Sequence, residues 1–355
     1  MSMVFRILSI IYIEYPEEHA FSAHYLYGED RGAEAPLNVY RFFDHEGVPS
    51  PMTNFLPNNT NLMAALEKIA ALEGTVVELG LGEYRGTVYT PFAEVMEEYG
   101  LWRHRLRFDL PFYEKDDDPS MDAPAYSITH WLFVSDLQPD GTYYVGSSEY
   151  NLVAKVAAEE AAFVEFTAFD WIDPYILGMK FNSIEKLDVT WNYGDVLSGT
   201  WEFSFDYAVT GTGKEPSCEN VYLKKPGDAV KSLFLARSRT LANGEKETQL
   251  WGDFSEILVY LQYMGDLELP AEEIDALRAG APALRLAFDF GTTHDIGDMY
   301  IAFYPYENGR CMVDYNGLTA FYCYNTGIKT VASTFLQLMA KEPIDEQSRY
   351  PHTGE

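Results

Sequence analysis

The order of predicted secondary-structure elements repeats along this chain, and the repetition constrains the fold more than any single motif. Residues 4–158 predict strands, a long helix, a short helix that follows a proline, further paired strands and a final helix. Residues 184–340 predict the same order. Matching order and spacing are typical of a duplicated unit. We therefore expect an α+β fold of two tandem repeats, each a mostly antiparallel sheet packed by helices on one face.

Local signals place the helices. Pro91 and Pro270 each precede a short helical segment, because proline is tolerated in the first helical turn. The segment Glu149–Glu160 also predicts a helix, and Phe254–Met264 predicts an apolar one. The long helix of the first half has apolar residues at helical spacing and ends at a glycine: Leu62, Leu66, Ile69, Leu72 and Gly74.

The predicted elements divide the chain into four parts. The segment between the halves contains Phe169 and Trp171 among other aromatic residues, too many for a solvated linker. We therefore expect it to pack between the halves. The predicted parts are a first α+β repeat at 1–160, an aromatic connecting segment at 161–183, a second α+β repeat at 184–340 and a polar C-terminal tail at 341–355.

Charge limits the classes of partner. The 355 residues include 25 Lys and Arg and 55 Asp and Glu, a formal net charge of −30. This charge argues against nucleic acid, whose phosphates require clustered cations, and against an anionic membrane surface. Hydrophobic residues make up 47% of the chain, which is enough for a sizeable core.

The three cysteines, Cys218, Cys311 and Cys323, lack the C-x-x-C spacing of a structural zinc site. Cys311 and Cys323 flank the Asn316-Gly317 dipeptide almost symmetrically. Because Asn-Gly between apolar runs predicts a tight hairpin, these two residues are a candidate cross-strand cysteine pair. Two buried free thiols are the alternative, and the small number of cysteines favours it.

No catalytic, metal or cofactor residues are predicted. The chain has no His-Glu-x-x-His pattern, nucleophile elbow, phosphate-binding loop or dinucleotide fingerprint. His294 with Asp289, Asp295 and Asp298 favours a solvated acidic loop over a metal site. Lys115–Asp122 is acidic but lacks the calcium-loop pattern. We therefore expect a protein that is not an enzyme and binds no cofactor.

Aromatic dipeptides are a further candidate for ligand binding. Tyr143-Tyr144 and Phe321-Tyr322 lie in predicted strands and are able to bind a ligand or a glycan. Sheet core and cross-strand pairing explain them more simply.

About residues 5–340 contain, in this order, the stretches Asn61–Leu72, Thr75–Glu78, Glu98–Leu101, Arg105–Leu110, Gly141–Tyr150, Phe169–Trp171 and Ile184–Thr190. Taken together, these stretches resemble the DUF 4340 family, a domain of unknown function. Here Trp102, Arg103 and His104 follow Tyr-Gly-Leu, where the family usually has Asp and Pro, and the second half lacks Tyr-Gly-Leu.

The resemblance implies a non-enzymatic extracytoplasmic scaffold or binding module associated with an ABC-type transporter of the gliding-motility kind. Its partners would be transporter subunits. The full-length protein would be membrane-associated through an anchor that is absent from this chain, whereas Met1 as the native start would imply a cytoplasmic protein. No catalytic residue is carried over from the family.

Two other functions stay open at this point. The first is an acidic inhibitor or immunity-type protein that binds a basic protein partner, with charge complementarity speeding association. The second is a hydrolase with an unrecognised carboxylate site, which requires a deep pocket with two acidic groups.

Overall fold

The chain folds as α+β with two large antiparallel sheets. It divides into two compact units, Met1–Asp173 and Pro174–Glu355, and each unit holds one large sheet. The structure, a computed structural model, describes residues 10–14, 20–26, 39–43, 58–79, 83–84, 87–88, 92–101, 104–112, 126–147, 152–177, 184–194, 197–208, 217–291 and 299–344.

The first unit contains an eight-stranded sheet. Its strands are β1 (Ile10–Glu14), β2 (Ala20–Leu26), β3 (Val39–Phe43), β4 (Thr75–Leu79), β7 (His104–Phe112), β8 (Tyr126–Val134), β9 (Thr142–Ser147) and β10 (Leu152–Ala157), in the spatial order β3-β2-β1-β7-β8-β9-β10-β4. β5 (Glu83–Tyr84) and β6 (Thr87–Val88) form a separate ladder. The helices are α1 (Asn59–Ala70), α2 (Phe92–Glu98) and α3 (Ala168–Trp171).

The second unit contains a nine-stranded sheet. Its strands are β11 (Lys186–Tyr193), β12 (Leu197–Ala208), β13 (Ser217–Lys224), β14 (Ser232–Ala236), β15 (Gly265–Asp266), β16 (Leu284–Asp289), β17 (Met299–Pro305), β18 (Arg310–Tyr315) and β19 (Leu318–Tyr324), in the order β14-β13-β12-β11-β16-β17-β18-β19-β15. The helices are α4 (Glu247–Val259), α5 (Ala271–Arg278) and α6 (Asn325–Ala340).

The two sheets have the same connectivity over eight strands. Each sheet contains a three-stranded meander (β1–β3 or β11–β13) and a four-stranded meander (β7–β10 or β16–β19). The first strand of the three-stranded meander (β1 or β11) pairs with the first strand of the four-stranded one (β7 or β16). A strand that follows the first long helix (β4 or β15) pairs with the last strand of the four-stranded meander (β10 or β19). The second sheet has one additional strand, β14, at its opposite edge.

The core of the second unit lies between one face of its sheet and the helices α4 and α6. Trp191 and Phe203 of the sheet are fully buried, and both contact Phe335 of α6. The ring centre of Trp251 in α4 lies 5.4 Å from that of Phe203. Burial of one such large side chain contributes about 1.5–3 kcal/mol.

The helix α5 contacts the opposite face of the second sheet. Its last residue, Arg278, binds Asp314 of β18. The neighbours Val313 and Tyr315 point to the other side, because successive residues of a strand alternate. The sequence predicted helices on only one face of the sheet. The helix α5 is an exception, because it contacts the other face.

The predicted connecting segment 161–183 is divided between the two units. Ala161, Phe163 and Trp171 are buried within the first unit. Ile176 belongs to the second unit, where its N–H donates to the carbonyl oxygen of Leu261 at 2.8 Å. Of the predicted tail 341–355, the structure describes residues 341–344.

Most predicted elements are present, with one error of type. The segment Glu149–Glu160 is not a helix, since its described part forms β10 and pairs with β9 and β4. Its apolar residues Leu152, Val153 and Val156 fit either a helix or a strand, and the two neighbouring strands decide between them. Within the described residues, no helix combines the length and apolarity that a membrane span requires.

Candidate protein-binding faces

One face of the second sheet carries arginine and tyrosine side chains. We call it the outer face and define it by Arg285, Tyr300, Arg310 and Tyr322. In β16, every second residue is buried towards α4 and α6, and Arg285 lies between two of these residues. The cross-strand register extends this alternation through β19. Arginine and tyrosine are the residues most enriched at protein interfaces.

The cations of the outer face stack on its rings. The guanidinium carbon of Arg285 lies 4.8 Å from the ring centre of Tyr300, and that of Arg310 lies 4.4 Å from Tyr322. Such contacts contribute about 0.5–1 kcal/mol at exposed sites. Burial raises the pKa of Tyr322 above its ordinary value, while Arg310 acts in the opposite direction. These side chains are therefore ordered before any partner binds.

A nearly buried carboxylate attaches α5 to the outer face. The side chain of Asp314 is 5% exposed, and it accepts from Arg278 Nε at 3.2 Å and from the Gly317 N–H at 2.7 Å. Arg278 also donates to the Gly317 carbonyl oxygen. Burial, followed by the charge of Asp314, raises the pKa of Tyr300. The arrangement gives each oxygen of the Asp314 carboxylate a hydrogen-bond donor.

The other half of the outer face, on β11–β13, carries closed ion pairs. Lys186 Nζ lies 3.0 Å from Asp188 Oδ2, and Lys224 Nζ lies 2.6 Å from Glu202 Oε1. All four side chains are at least a quarter exposed, so each pair contributes about 0–1 kcal/mol. This half of the outer face has little net charge.

The corresponding face of the first sheet carries tyrosine and glutamate. We call it the α2 face and define it by Tyr144, Gly146 and Val153, the side of β9 and β10 against which α2 packs. Tyr99 and Tyr144 both pack on the apolar cluster formed there by α2 and β10. Their ring centres are 5.0 Å apart in an edge-to-face arrangement.

The Tyr-Gly-Leu segment fixes the end of α2 on this face. Gly100 has φ +64°. Its N–H donates to the Glu97 carbonyl oxygen at 3.3 Å, and the Leu101 N–H donates to the Met96 carbonyl oxygen at 2.8 Å. This is a Schellman cap, which requires a left-handed residue after the helix. Leu101 is fully buried in the α2 face. The segment that suggested a family resemblance therefore has a structural explanation.

The predicted aromatic dipeptides each contribute one residue to a core and one to an open face. Tyr143 and Phe321 are 1% exposed, whereas Tyr144 and Tyr322 are half-buried. Core or cross-strand pairing is the simpler expectation from the sequence for both dipeptides. The alternation of Arg310, Met312 and Asp314 with Cys311 and Val313 along β18 is the sequence signal that separates the two faces.

The candidate cysteine residues lie directly opposite each other on β18 and β19. The two-residue Asn316-Gly317 turn forms the expected hairpin, and the register pairs Cys311 with Cys323. Both are buried and free. The neighbouring Cys311 thiol and burial raise the pKa of Cys323 well above its ordinary value.

The backbone register disfavours a disulfide between Cys311 and Cys323. Tyr322 and Ala320 accept hydrogen bonds from the side of β15, so the backbone groups of Cys323 point towards β18. The two cysteines therefore occupy a hydrogen-bonded pair, with Cα atoms about 5.5 Å apart and side chains more distant than in the alternate pairs. A disulfide needs Cβ atoms about 3.5–4.5 Å apart.

The acidic segments considered as metal sites contribute little to the described structure. Lys115–Asp122 and residues 292–298, which include His294, Asp295 and Asp298, lie outside the described residues. Asp289 is described, and its Oδ1 accepts from the Gly291 N–H at 2.8 Å. The described ranges contain no group of three or more His, Cys, Asp or Glu residues that could hold a metal ion.

A cavity of about 370 Å³ lies at the edge of the second sheet. Asp228 is its one carboxylate, so it lacks the acid pair that the hydrolase hypothesis requires. Lys341 donates to the Phe234 carbonyl oxygen at 2.6 Å and pairs with Glu247 at 3.2 Å, so its ammonium is already engaged. The cavity is lined by Leu223, Lys225, Asp228, Ser232, Leu233, Phe234, Met339, Ala340 and Lys341.

Comparison with known proteins gives no relative. No family model, curated protein or solved structure matches this chain. The resemblance to the DUF 4340 family therefore stays a prediction, and the function is argued from the two faces alone.

Proposed function

We propose that this chain is a non-enzymatic protein-binding protein and that its partner is basic. The observation that carries the proposal is an imbalance on the described surface. Its cations are mostly engaged within the chain, whereas the exposed carboxylates of α2 and α5 have no described cation at ion-pair distance. A surface of this kind attracts a cationic protein and speeds its association.

Intramolecular contacts engage most described cations. Three of them, Lys231, Arg285 and Arg310, lie over tyrosine rings. Eight others form ion pairs: Lys68, Lys155, Lys186, Lys224, Arg237, Arg239, Arg278 and Lys341. Eight of these cations thus already have a carboxylate partner, and three are held against rings within the chain.

Six exposed carboxylates lie on the helices α2 and α5, which follow β4 and β15 in their units. No cation within the described residues lies at ion-pair distance from any of them. On α2 they are Glu94, Glu97 and Glu98, and on α5 they are Glu272, Glu273 and Asp275.

The partner hypothesis is tested by titration at two salt concentrations. The basic products of the flanking genes are added to the full chain at about 50 mM and about 300 mM NaCl. We expect one of them to bind and to bind at least about tenfold more weakly at the higher salt. Binding that is independent of salt, or no binding by any basic neighbour, contradicts the proposal.

We also propose that the chain is a duplicated module. The supporting evidence is the shared strand order and a shared sequence at its centre. Arg105-Leu-Arg-Phe-Asp109 of β7 and Arg285-Leu-Ala-Phe-Asp289 of β16 differ at one position, and each pairs with the first strand of its unit. Gly141 and Gly309, with φ +77° and +72°, each precede the next-to-last strand.

An experimental structure tests the duplication. We expect the backbone of β7–β10 to superpose on that of β16–β19 with Asp109 on Asp289 and Gly141 on Gly309. A superposition that requires a different register, which would shift the side chains of each strand to the other face, contradicts a common origin.

The extracytoplasmic location and the association with transporter subunits rest on the family resemblance alone. We retain both as proposals. Both proposals require an upstream coding sequence for one membrane helix and neighbouring genes for transporter subunits. A native start at Met1 without such neighbours contradicts them.

A further inference from the structure

The strand register places one acidic and one aromatic side chain on the α2 face. Glu78 of β4 pairs with Val153 of β10, and Tyr144 of β9 pairs with Lys155 of β10. Val153 and Lys155 are two residues apart and therefore point to the same side of the sheet. Glu78 and Tyr144 thus lie on the α2 face, although their strands are separated by β10.

The end of α2 brings two more groups to the same place. The Schellman cap at Gly100 fixes Tyr99, whose ring contacts that of Tyr144. Glu98 precedes Tyr99 and is exposed. We call Glu78, Glu98, Tyr99 and Tyr144 the tyrosine–glutamate patch. Both rings pack on the buried apolar cluster, so they are held in place.

The electrostatic surroundings of the patch are negative. Burial raises the pKa of Tyr99, and Glu98, Glu78 and Tyr144 raise it further, as is expected when carboxylates lie near the phenol. The cation beside Tyr144 is Lys155, whose Nζ is held by Asp140 at the border of the patch. The two glutamates therefore have no described cation of their own.

The second unit contains the complementary contact within the same chain. On the outer face, Arg310 stacks on Tyr322, and a second ring, Tyr324, lies edge-on at 5.9 Å. Gly309 precedes Arg310 as Gly141 precedes Thr142. With Gly141 placed on Gly309, Thr142 takes the position of Arg310 and Lys155 that of Tyr322. The α2 face therefore carries its rings at other positions and without an arginine.

We propose that the tyrosine–glutamate patch binds an arginine side chain of the partner. The guanidinium would stack on the ring of Tyr144, with the Tyr99 ring edge-on beside it, while its N–H groups pair with Glu78 and Glu98. Arginine fits better than lysine, because its planar group stacks on a ring and donates to carboxylates simultaneously. This proposal rests on the proposed function, since it specifies where a basic partner docks.

The test uses the full chain and three labelled peptides of equal length: oligo-arginine, oligo-lysine and oligo-glutamate. Fluorescence anisotropy gives the dissociation constant of each peptide for the unchanged chain and for variants. One double variant, Glu78→Gln with Glu98→Gln, removes the patch carboxylates. The matched control, Glu272→Gln with Glu273→Gln, removes the same charge from α5.

We expect the unchanged chain to bind oligo-arginine more tightly than oligo-lysine and not to bind oligo-glutamate. The patch variant should weaken binding of oligo-arginine by about tenfold, and the control by less than about threefold. Tyr144→Phe retains the ring and should bind normally, whereas Tyr144→Leu should bind as weakly as the patch variant. Circular dichroism and thermal unfolding establish that each variant is folded.

Two results overturn the proposal, and they are distinguishable. Equal weakening by the two double variants means that general charge attracts the peptide, which removes the patch but leaves a basic partner in place. Failure of the unchanged chain to bind either cationic peptide removes the proposed function and the patch together.

Discussion

Leu101 lies directly against the backbone of Gly146. A Cβ atom added at residue 146 would be 2.7 Å from Leu101 Cδ1, a separation that real Cβ atoms do not adopt. Because Leu101 is fully buried, it has little freedom to move away. This contact fixes α2 on β9, as the Arg278–Asp314 ion pair fixes α5 on β18.

Replacement of Gly146 by alanine should therefore destabilise the first unit. We expect Gly146→Ala to lower the free energy of unfolding by about 1–3 kcal/mol, the usual cost of overpacking a core. Urea unfolding followed by circular dichroism measures it. Gly252→Ala is the control, since its nearest atom lies at 3.7 Å in an exposed part of α4. The control should be stabilised by about 0.4–1 kcal/mol, and equal loss in both variants contradicts the contact.

Removal of the Asp314 carboxylate should destabilise the second unit. Asp314→Ala leaves the Arg278 guanidinium and the Gly317 N–H without their acceptor. We expect a loss of about 1.5–3 kcal/mol in urea unfolding. In a double-mutant cycle with Arg278→Ala, the double variant should lose less than the sum of the single variants. Strict additivity would mean that the ion pair does not attach α5 to the sheet.

The cysteines should remain thiols in the folded chain, even under oxidising conditions. Cys311 and Cys323 are buried at a backbone-hydrogen-bonded pair, and burial raises the pKa of Cys218 to about 12. Because the thiolate is the reactive form, a disulfide-exchange reagent should react slowly before denaturation and with all three thiols after it. A loss of two hydrogens from the mass of the purified chain, detected by mass spectrometry, would reveal the disulfide and contradict this expectation.

Alkaline pH should unfold the chain through its buried tyrosines. Burial is the main cause that raises the pKa of Tyr143, Tyr207 and Tyr263 above the ordinary value of 10.0. A raised pKa in the folded state means that stability is fully present below pH 10 and is lost as the pH rises above it. We expect the absorbance of tyrosinate to increase in two phases, the second coinciding with loss of circular dichroism. A single increase of tyrosinate absorbance near pH 10, without loss of circular dichroism, contradicts this expectation.

Local sequence signals predicted many elements because the physical causes are themselves local. Thr142–Ser147 alternates along a strand, and Asn316-Gly317 adopts the left-handed conformations that close a tight hairpin. Pro270 likewise precedes α5. Local signals failed for Glu149–Glu160, whose apolar spacing fits two conformations until β4 and β9 pair with β10 on either side.

The candidate site was less predictable, because its residues meet only through non-local pairing. Glu78 lies near Tyr99 because β4 closes the edge of the sheet beside β10. Arg310 reaches Tyr322 across a hairpin whose register shifts between Val313 and Tyr315. Periodicity separates the two faces of a strand, but it does not reveal which face a helix covers. The sequence therefore favoured sheet core and cross-strand pairing for the aromatic dipeptides, and one ring of each dipeptide lies on an open face.

By itself, the sequence determined the class of structure and the identity of most strands and helices, since alternation, helical spacing and turn residues act over a few positions. It also determined the acidic character of the chain and the Asn316-Gly317 turn. A register shift between Val313 and Tyr315, which no local signal gave, places Cys311 opposite Cys323. Tertiary structure alone decided that β1 pairs with β7 and β11 with β16, and that α5 crosses to the outer face. Those contacts join residues about a hundred positions apart, and their free energy depends on surfaces that exist only once both partners are folded.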